Sequence, residues 1–94
     1  MSVKVHIPTP LRPFVDNQDV VELESVSTVK EVVRRLTEIN GELSKYLLDE
    51  DGRIRNFVNV YLNEEDIRYL DGEDTALKSG DVLSIIPSIA GGRP

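Results

Sequence analysis

The sequence contains no cysteine and no tryptophan, and it has only one histidine among 94 residues. Without cysteine, disulfides, thiolate nucleophiles and cysteine-ligated metal sites are excluded. The single histidine, His6, has polar neighbours and no companion that could orient it as a general base or share a metal ion with it. We therefore expect no bound metal, and His6 is interpreted as a surface residue.

Long apolar runs and positive net charge are also missing. No segment approaches the ~20 apolar residues of a membrane span, and the N-terminus lacks the basic and apolar regions of a signal peptide. The net charge of −6 disfavours nucleic acids and anionic membranes, which bind through Lys and Arg, and favours a partner with a basic face. We expect a cytoplasmic protein with no nucleic-acid or membrane partner.

The chain length predicts one domain with one compact core and little room for a substrate cavity, since a chain of this size buries only ~60–65% of its unfolded surface. The acidic residues of Glu64–Asp66 and of Glu73 and Asp74 lack a pocket and are interpreted as solvated loop charges. An enzyme that acts alone is the least favoured class.

Alternation of apolar and polar residues predicts the strands. The predicted strands are Val3–Ile7, Asp19–Glu24, Phe57–Leu62, a brief one over Ile67–Leu70, and Val82–Ile86. Prolines at positions 8, 10 and 13 predict an irregular loop that joins the first two strands as a hairpin.

One helix is predicted after Thr28, which forms a capping box with Glu31. Apolar residues then recur with helical spacing at Val29, Val32, Val33, Leu36 and Ile39. Asn40-Gly41 is expected to end the helix, with the glycine in the left-handed conformation. A short helical turn is predicted over Glu42–Leu48.

A single amphipathic helix must bury its apolar stripe against one face of a sheet. The element order predicts an α+β fold of the β-grasp (ubiquitin-like) type, with a mixed sheet of about five strands packed on one main helix. The first and last strands are expected in the middle. The predicted organisation is a β-grasp domain over 1–87 and a flexible C-terminal tail over 88–94.

Two kinds of candidate site remain. The tail residues Ser88, Ile89, Ala90, Gly91 and Gly92 follow the last strand directly and span roughly 17 Å if extended. Glycine has no side chain, so such a tail suits insertion of a carboxylate into another enzyme's active site. Phe57, Tyr61 and Tyr69 form a candidate docking patch, since aromatic residues are enriched in interface cores; ordinary strand packing is the alternative interpretation.

Four segments carry a recognisable pattern: Pro8–Pro13, Phe57–Asn63, Glu65–Arg68 and Gly80–Gly92. They resemble the MoaD/ThiS family of prokaryotic sulfur carriers over essentially the whole chain. The first two segments are most similar to the branch that supplies sulfur for cysteine synthesis.

The resemblance implies a mechanism and partners. An E1-like adenylating enzyme would use ATP to activate the carboxylate of Gly92, and sulfur would then convert it to a thiocarboxylate. In the cysteine branch the acceptor is an aminoacrylate on a pyridoxal-phosphate-dependent cysteine synthase. The carrier itself binds no cofactor, because the sulfur is held covalently.

The chain departs from this pattern because Arg93 and Pro94 follow Gly92. The resemblance implies that a JAMM-type metallopeptidase removes such an extension. An expression artefact and a carrier that is never activated are the other interpretations.

The final sulfur acceptor stays open between cysteine, molybdopterin, thiamin, a modified tRNA and a specialised metabolite. Two other functions also stay open: a ubiquitin-like modifier that forms isopeptide bonds, and a β-grasp interaction module that undergoes no chemistry.

Overall fold

The computed structural model describes residues 2–87, which form a five-stranded sheet with helices packed on one face. The strands are β1 (Ser2–His6), β2 (Val20–Glu24), β3 (Val58–Leu62), β4 (Glu65–Asp66) and β5 (Val82–Pro87), and the α-helices are α1 (Val29–Ile39) and α2 (Leu43–Leu47). Short 3₁₀ helices lie at Thr9–Val15, Ile67–Tyr69 and Gly72–Asp74.

The order of strands across the sheet is β2-β1-β5-β3-β4. The pair β1–β5 is parallel and the other three pairs are antiparallel. The mixed sheet with the first and last strands adjacent confirms the predicted β-grasp arrangement. Because β5 lies between β1 and β3, its C-terminal end is flanked by the end of β1 and the start of β3.

The core lies between the sheet and the helical layer and follows the predicted alternation. Val3 and Val5 of β1, and Leu83 and Ile85 of β5, are buried against the apolar stripe of α1. That stripe is shorter than predicted: Val29, Val32, Val33 and Leu36 are buried, but Ile39 is 49% exposed. The helix ends there, so its last apolar residue extends past the edge of the core.

The N-terminus of α1 is capped by Thr28 and Glu31, as predicted. The Thr28 hydroxyl accepts from the Glu31 N–H at 3.2 Å. The Glu31 carboxylate in turn accepts from the N–H of Ser27 at 2.6 Å and from its hydroxyl at 2.8 Å. These bonds, the Ser27 backbone contact foremost, hold the pKa of Glu31 below its usual value.

Three further predictions are wrong in detail. Gly41 does not have a positive φ; instead the Asn40 side chain accepts from the Glu42 N–H at 2.9 Å and turns the chain. The segment Thr9–Val15 is a 3₁₀ helix, which buries Leu11 and Val15. Ile67–Leu70 is not a strand either: the fourth strand is Glu65–Asp66, and the chain turns into a 3₁₀ helix at Ile67, whose side chain enters the core.

Candidate functional site

The predicted tail, Ser88–Pro94, lies outside the described residues, so the structure specifies its starting point. β5 ends at Pro87, which pairs with Val58 at the start of β3. On its other side β5 runs parallel to β1, with Ser84 beside His6. The tail therefore starts from the centre of one end of the sheet.

The face of the sheet opposite the helices carries the side chains that alternate with the core residues. One row across it consists of Val20, His6, Ser84, Tyr61 and Asp66, in register over all five strands. His6 is exposed, as predicted, and no metal-ligating cluster of three His, Cys, Asp or Glu side chains occurs within residues 2–87. No helix in that same range is long and apolar enough to cross a membrane.

The three aromatic residues predicted as a docking patch lie on different elements. Tyr61 lies on the open face of β3 and is half-buried. Tyr69 lies on the 3₁₀ helix that leaves the sheet edge at Ile67, and it is 83% exposed. Phe57 lies in the turn before β3, is 38% exposed, and has the guanidinium carbon of Arg55 at 5.8 Å from its ring centroid.

Sequence reasoning missed two exposed residues with large apolar side chains, Ile86 and Tyr46. Ile86 pairs with Asn59 on the open face and is 50% exposed. The sequence did not show that Ile86 faces outward, because Ile85 and Ile86 are both apolar and adjacent. The burial of Leu83 and Ile85 places Ile86 on the open face. Tyr46 of α2 is 48% exposed and packs on Phe14, with ring centroids 5.3 Å apart.

Arg68 is fixed beside the open face by polar contacts. Its backbone N–H and Nε donate to the Asp66 carboxylate at 2.8 and 3.2 Å, and its guanidinium also donates to Asn59. The backbone hydrogen bond from Arg68 holds the pKa of Asp66 below its usual range, with the Arg68 side chain adding to the effect. Asp66 is thus a structural carboxylate that caps the 3₁₀ helix.

A cavity of about 210 Å³ lies under β3, with Val58, Val60 and Ile67 in its lining. Ligand pockets usually measure ~300–1,000 Å³. The one carboxylate in this lining, Glu73, already accepts from the Ile54 N–H at 3.0 Å. The cavity thus contains no pair of groups for acid–base chemistry.

The fold and the sequence after Pro87 define a class: a β-grasp, ubiquitin-like protein whose central strand is followed in sequence by a diglycine, Gly91-Gly92. The chain belongs to the ThiS family, whose model matches residues 5–92. It is 39% identical over 94 residues to the sulfur carrier protein CysO of Mycobacterium tuberculosis, covering 98% of this chain and 100% of that protein.

Two further relatives bear on function. One chain in the crystal structure of the Amycolatopsis orientalis BexX/CysO complex superposes with a TM-score of 0.84 and 36% identity, covering 96% of this chain and 99% of that one. Small archaeal modifier protein 3 of Haloferax volcanii is 37% identical over 89 residues, covering 87% of this chain and 96% of that protein.

Proposed function

We propose that this protein is a sulfur carrier that works through the carboxylate of Gly92 and is a co-substrate of partner enzymes. The observation that carries the proposal is the family match, which spans the β-grasp domain and ends at Gly92. The names of relatives such as CysO support the carrier class. The position of Pro87 at one end of the central strand supports a tail that starts outside the core.

The proposed chemistry has three steps. A JAMM-type metallopeptidase hydrolyses the bond after Gly92 and releases Arg93-Pro94, which creates the carboxylate. An E1-like enzyme then transfers AMP from ATP to that carboxylate and releases pyrophosphate. A sulfur nucleophile attacks the acyl carbon, AMP leaves, and Gly92 carries a thiocarboxylate.

Mass spectrometry of the intact protein tests this proposal. The chain ending at Gly92 is incubated with the source organism's activating enzyme, ATP and a sulfide donor, next to the full-length chain. We expect the mass change of replacing one oxygen by sulfur only in the shortened chain. Full-length chain should react only after addition of the peptidase.

Gly92→Ala in the shortened chain is the matched control, because the added methyl group obstructs a channel that fits glycine. A shortened wild-type chain that is never adenylated would show that the protein is not a carrier. A full-length chain that gains sulfur while keeping Arg93-Pro94 would refute the processing step alone.

We propose a cysteine synthase dependent on pyridoxal phosphate as the acceptor, on the basis of the cysteine-branch segments Pro8–Pro13 and Phe57–Asn63. Thiocarboxylated chain mixed with that enzyme and its activated serine substrate should release cysteine after peptidase treatment. No loss of sulfur from the carrier would exclude this acceptor.

A second candidate function is protein modification, which the similarity to small archaeal modifier protein 3 favours. The same adenylate would then react with a lysine amine to form an isopeptide bond. Conjugates that shift on gels of cell extract, and disappear with Gly92→Ala, would support this function. Thiocarboxylate without conjugates would support sulfur delivery.

A further inference from the structure

Contacts link Phe14, Tyr46, Arg55 and Phe57 into one surface, here called the end patch. Phe57 directly precedes Val58, the partner of Pro87 in the sheet. Arg55 lies over the Phe57 ring and donates Nε to the Lys45 carbonyl at 3.1 Å. That contact brings the loop before β3 against α2, where Tyr46 packs on Phe14.

The composition of the end patch is typical of a binding hot spot, because Tyr and Arg dominate such sites. Three of the five aromatic residues of the chain lie in it. All three aromatic side chains are partly exposed: Tyr46 is 48% and Phe57 38% exposed, and Phe14 is half-buried. An apolar surface rimmed by a cation commonly marks an interaction site.

The charge of the end patch is opposite to that of the whole chain. Within residues 2–87, the cations in ion pairs of 4.0 Å or less are Arg35, Lys45 and Arg68. Arg55 has no carboxylate partner in that range and hydrogen-bonds a carbonyl instead. Arg12, in the 3₁₀ helix that follows β1, likewise donates to a carbonyl, that of Ile7, at 3.0 Å. Neither guanidinium is therefore in an ion pair among residues 2–87, in a chain whose net charge is −6.

The length of the tail determines what must contact this surface. Gly92 is the fifth residue after Pro87, so the reacting carboxylate is at most ~17 Å from the end of the sheet. An enzyme that receives Gly92 in an active site below its own surface must approach the end of the sheet closely. The end patch is then within contact range of that enzyme.

We infer that the end patch is a docking surface for the activating enzyme, and that it contacts an apolar surface with acidic side chains at its margin. This inference rests on the proposed function and adds the recognition surface and the charge of the partner. A carrier that is acidic overall would be oriented by this cationic aromatic surface, because an acidic margin on the enzyme attracts the end patch and repels the acidic remainder.

The test compares Arg55→Glu with Arg53→Glu in the chain ending at Gly92, which keeps every described residue. Arg53 is exposed and only two positions away, so the control makes the same change in net charge outside the end patch. We expect Arg55→Glu to raise the Kd for the activating enzyme, and the KM in pyrophosphate release, at least about tenfold. The kcat of Arg55→Glu should stay close to the wild-type value. Arg53→Glu should resemble wild type in Kd, KM and kcat.

Tyr46→Ala is the second variant, because Arg55 also holds the loop before β3 and its replacement alters that loop. Tyr46 lies on a different element, and removal of its ring should also raise the Kd for the activating enzyme. Urea unfolding of each variant checks that the fold is intact. The difference in Kd between wild type and Arg55→Glu should narrow at high salt, since charge attraction is screened there.

Three outcomes decide the inference. Weak binding of both end-patch variants with normal binding of Arg53→Glu supports it. Adenylation of Arg55→Glu and Tyr46→Ala that equals adenylation of wild type overturns it. So does a loss of affinity in Arg53→Glu as large as the loss in Arg55→Glu. Both outcomes leave the carrier function intact. A wild-type chain that is not adenylated overturns the proposed function and this inference with it.

Discussion

At the scale of single residues, the start of α1 depends on the carboxylate of Glu31. It accepts two hydrogen bonds from Ser27, while the Thr28 hydroxyl accepts from the Glu31 N–H. The sequence identified both capping residues. The structure adds that Ser27, the residue before the cap, supplies both hydrogen bonds to the carboxylate.

Glu31→Gln is therefore expected to make stability less dependent on pH. The pKa of Glu31 is lowered in the folded chain, so its contribution is complete above the unfolded value of about 4.3 and is lost as pH falls toward the folded value. Urea midpoints of wild type and variant should differ at pH 7 and converge between about pH 5 and pH 3.

Glu22→Gln, on the exposed face of β2, is the control for the change in net charge and should not reproduce this convergence. If the difference in urea midpoint between wild type and Glu31→Gln stays constant over the whole pH range, the carboxylate charge is unimportant at the cap.

At the scale of elements, the β3–β4 hairpin shows what local sequence leaves undecided. Asn63 and Glu64 form a two-residue loop with φ values of 49° and 78°. Left-handed pairs of this kind favour Asn followed by Gly, so Glu64 at the second position is unusual. The strand after this loop was predicted to begin at Ile67, two residues too late. Ile67 fits a strand pattern, but its side chain is buried in the core and the edge strand β4 ends at Asp66.

Glu64→Gly should stabilise the protein by about 0.5–1 kcal/mol, since glycine adopts positive φ without the steric cost of a Cβ atom. Urea unfolding measures this change. Glu64→Ala is the control: it removes the same charge but keeps the strained φ, so it should be less stable than Glu64→Gly. Equal stability of the two variants would mean that the turn is not strained at Glu64.

At the scale of the whole molecule, β5 connects the core to the site. Its inward residues Leu83 and Ile85 are buried, its outward residue Ile86 is half-exposed, and its last residue Pro87 precedes the tail. Leu83 pairs with Val5 of β1 and with Leu62 of β3, so it lies at the junction of three strands. The same strand thus supports the fold and positions the start of the tail.

Leu83→Ala should lower the free energy of unfolding by about 2–5 kcal/mol, through lost burial and the cavity that remains. That is a large share of the total of about 5–15 kcal/mol expected for one domain. Ile86→Ala, on the same strand but facing outward, should change it by less than about 0.5 kcal/mol. If urea unfolding shows similar losses of unfolding free energy for Leu83→Ala and Ile86→Ala, the assigned faces of β5 are wrong.

The sequence by itself determined the β-grasp fold, four of its five strands, the limits of α1 and the diglycine segment after β5. It could do so because period-two alternation, helical spacing and capping residues are local signals. Tertiary structure decided which apolar residues stay outside the core, among them Ile39, Tyr46 and Ile86. It also brought Phe14, Tyr46, Arg55 and Phe57 together from three separate segments. Contacts between distant segments depend on how the elements pack, and no local pattern in this chain encodes them.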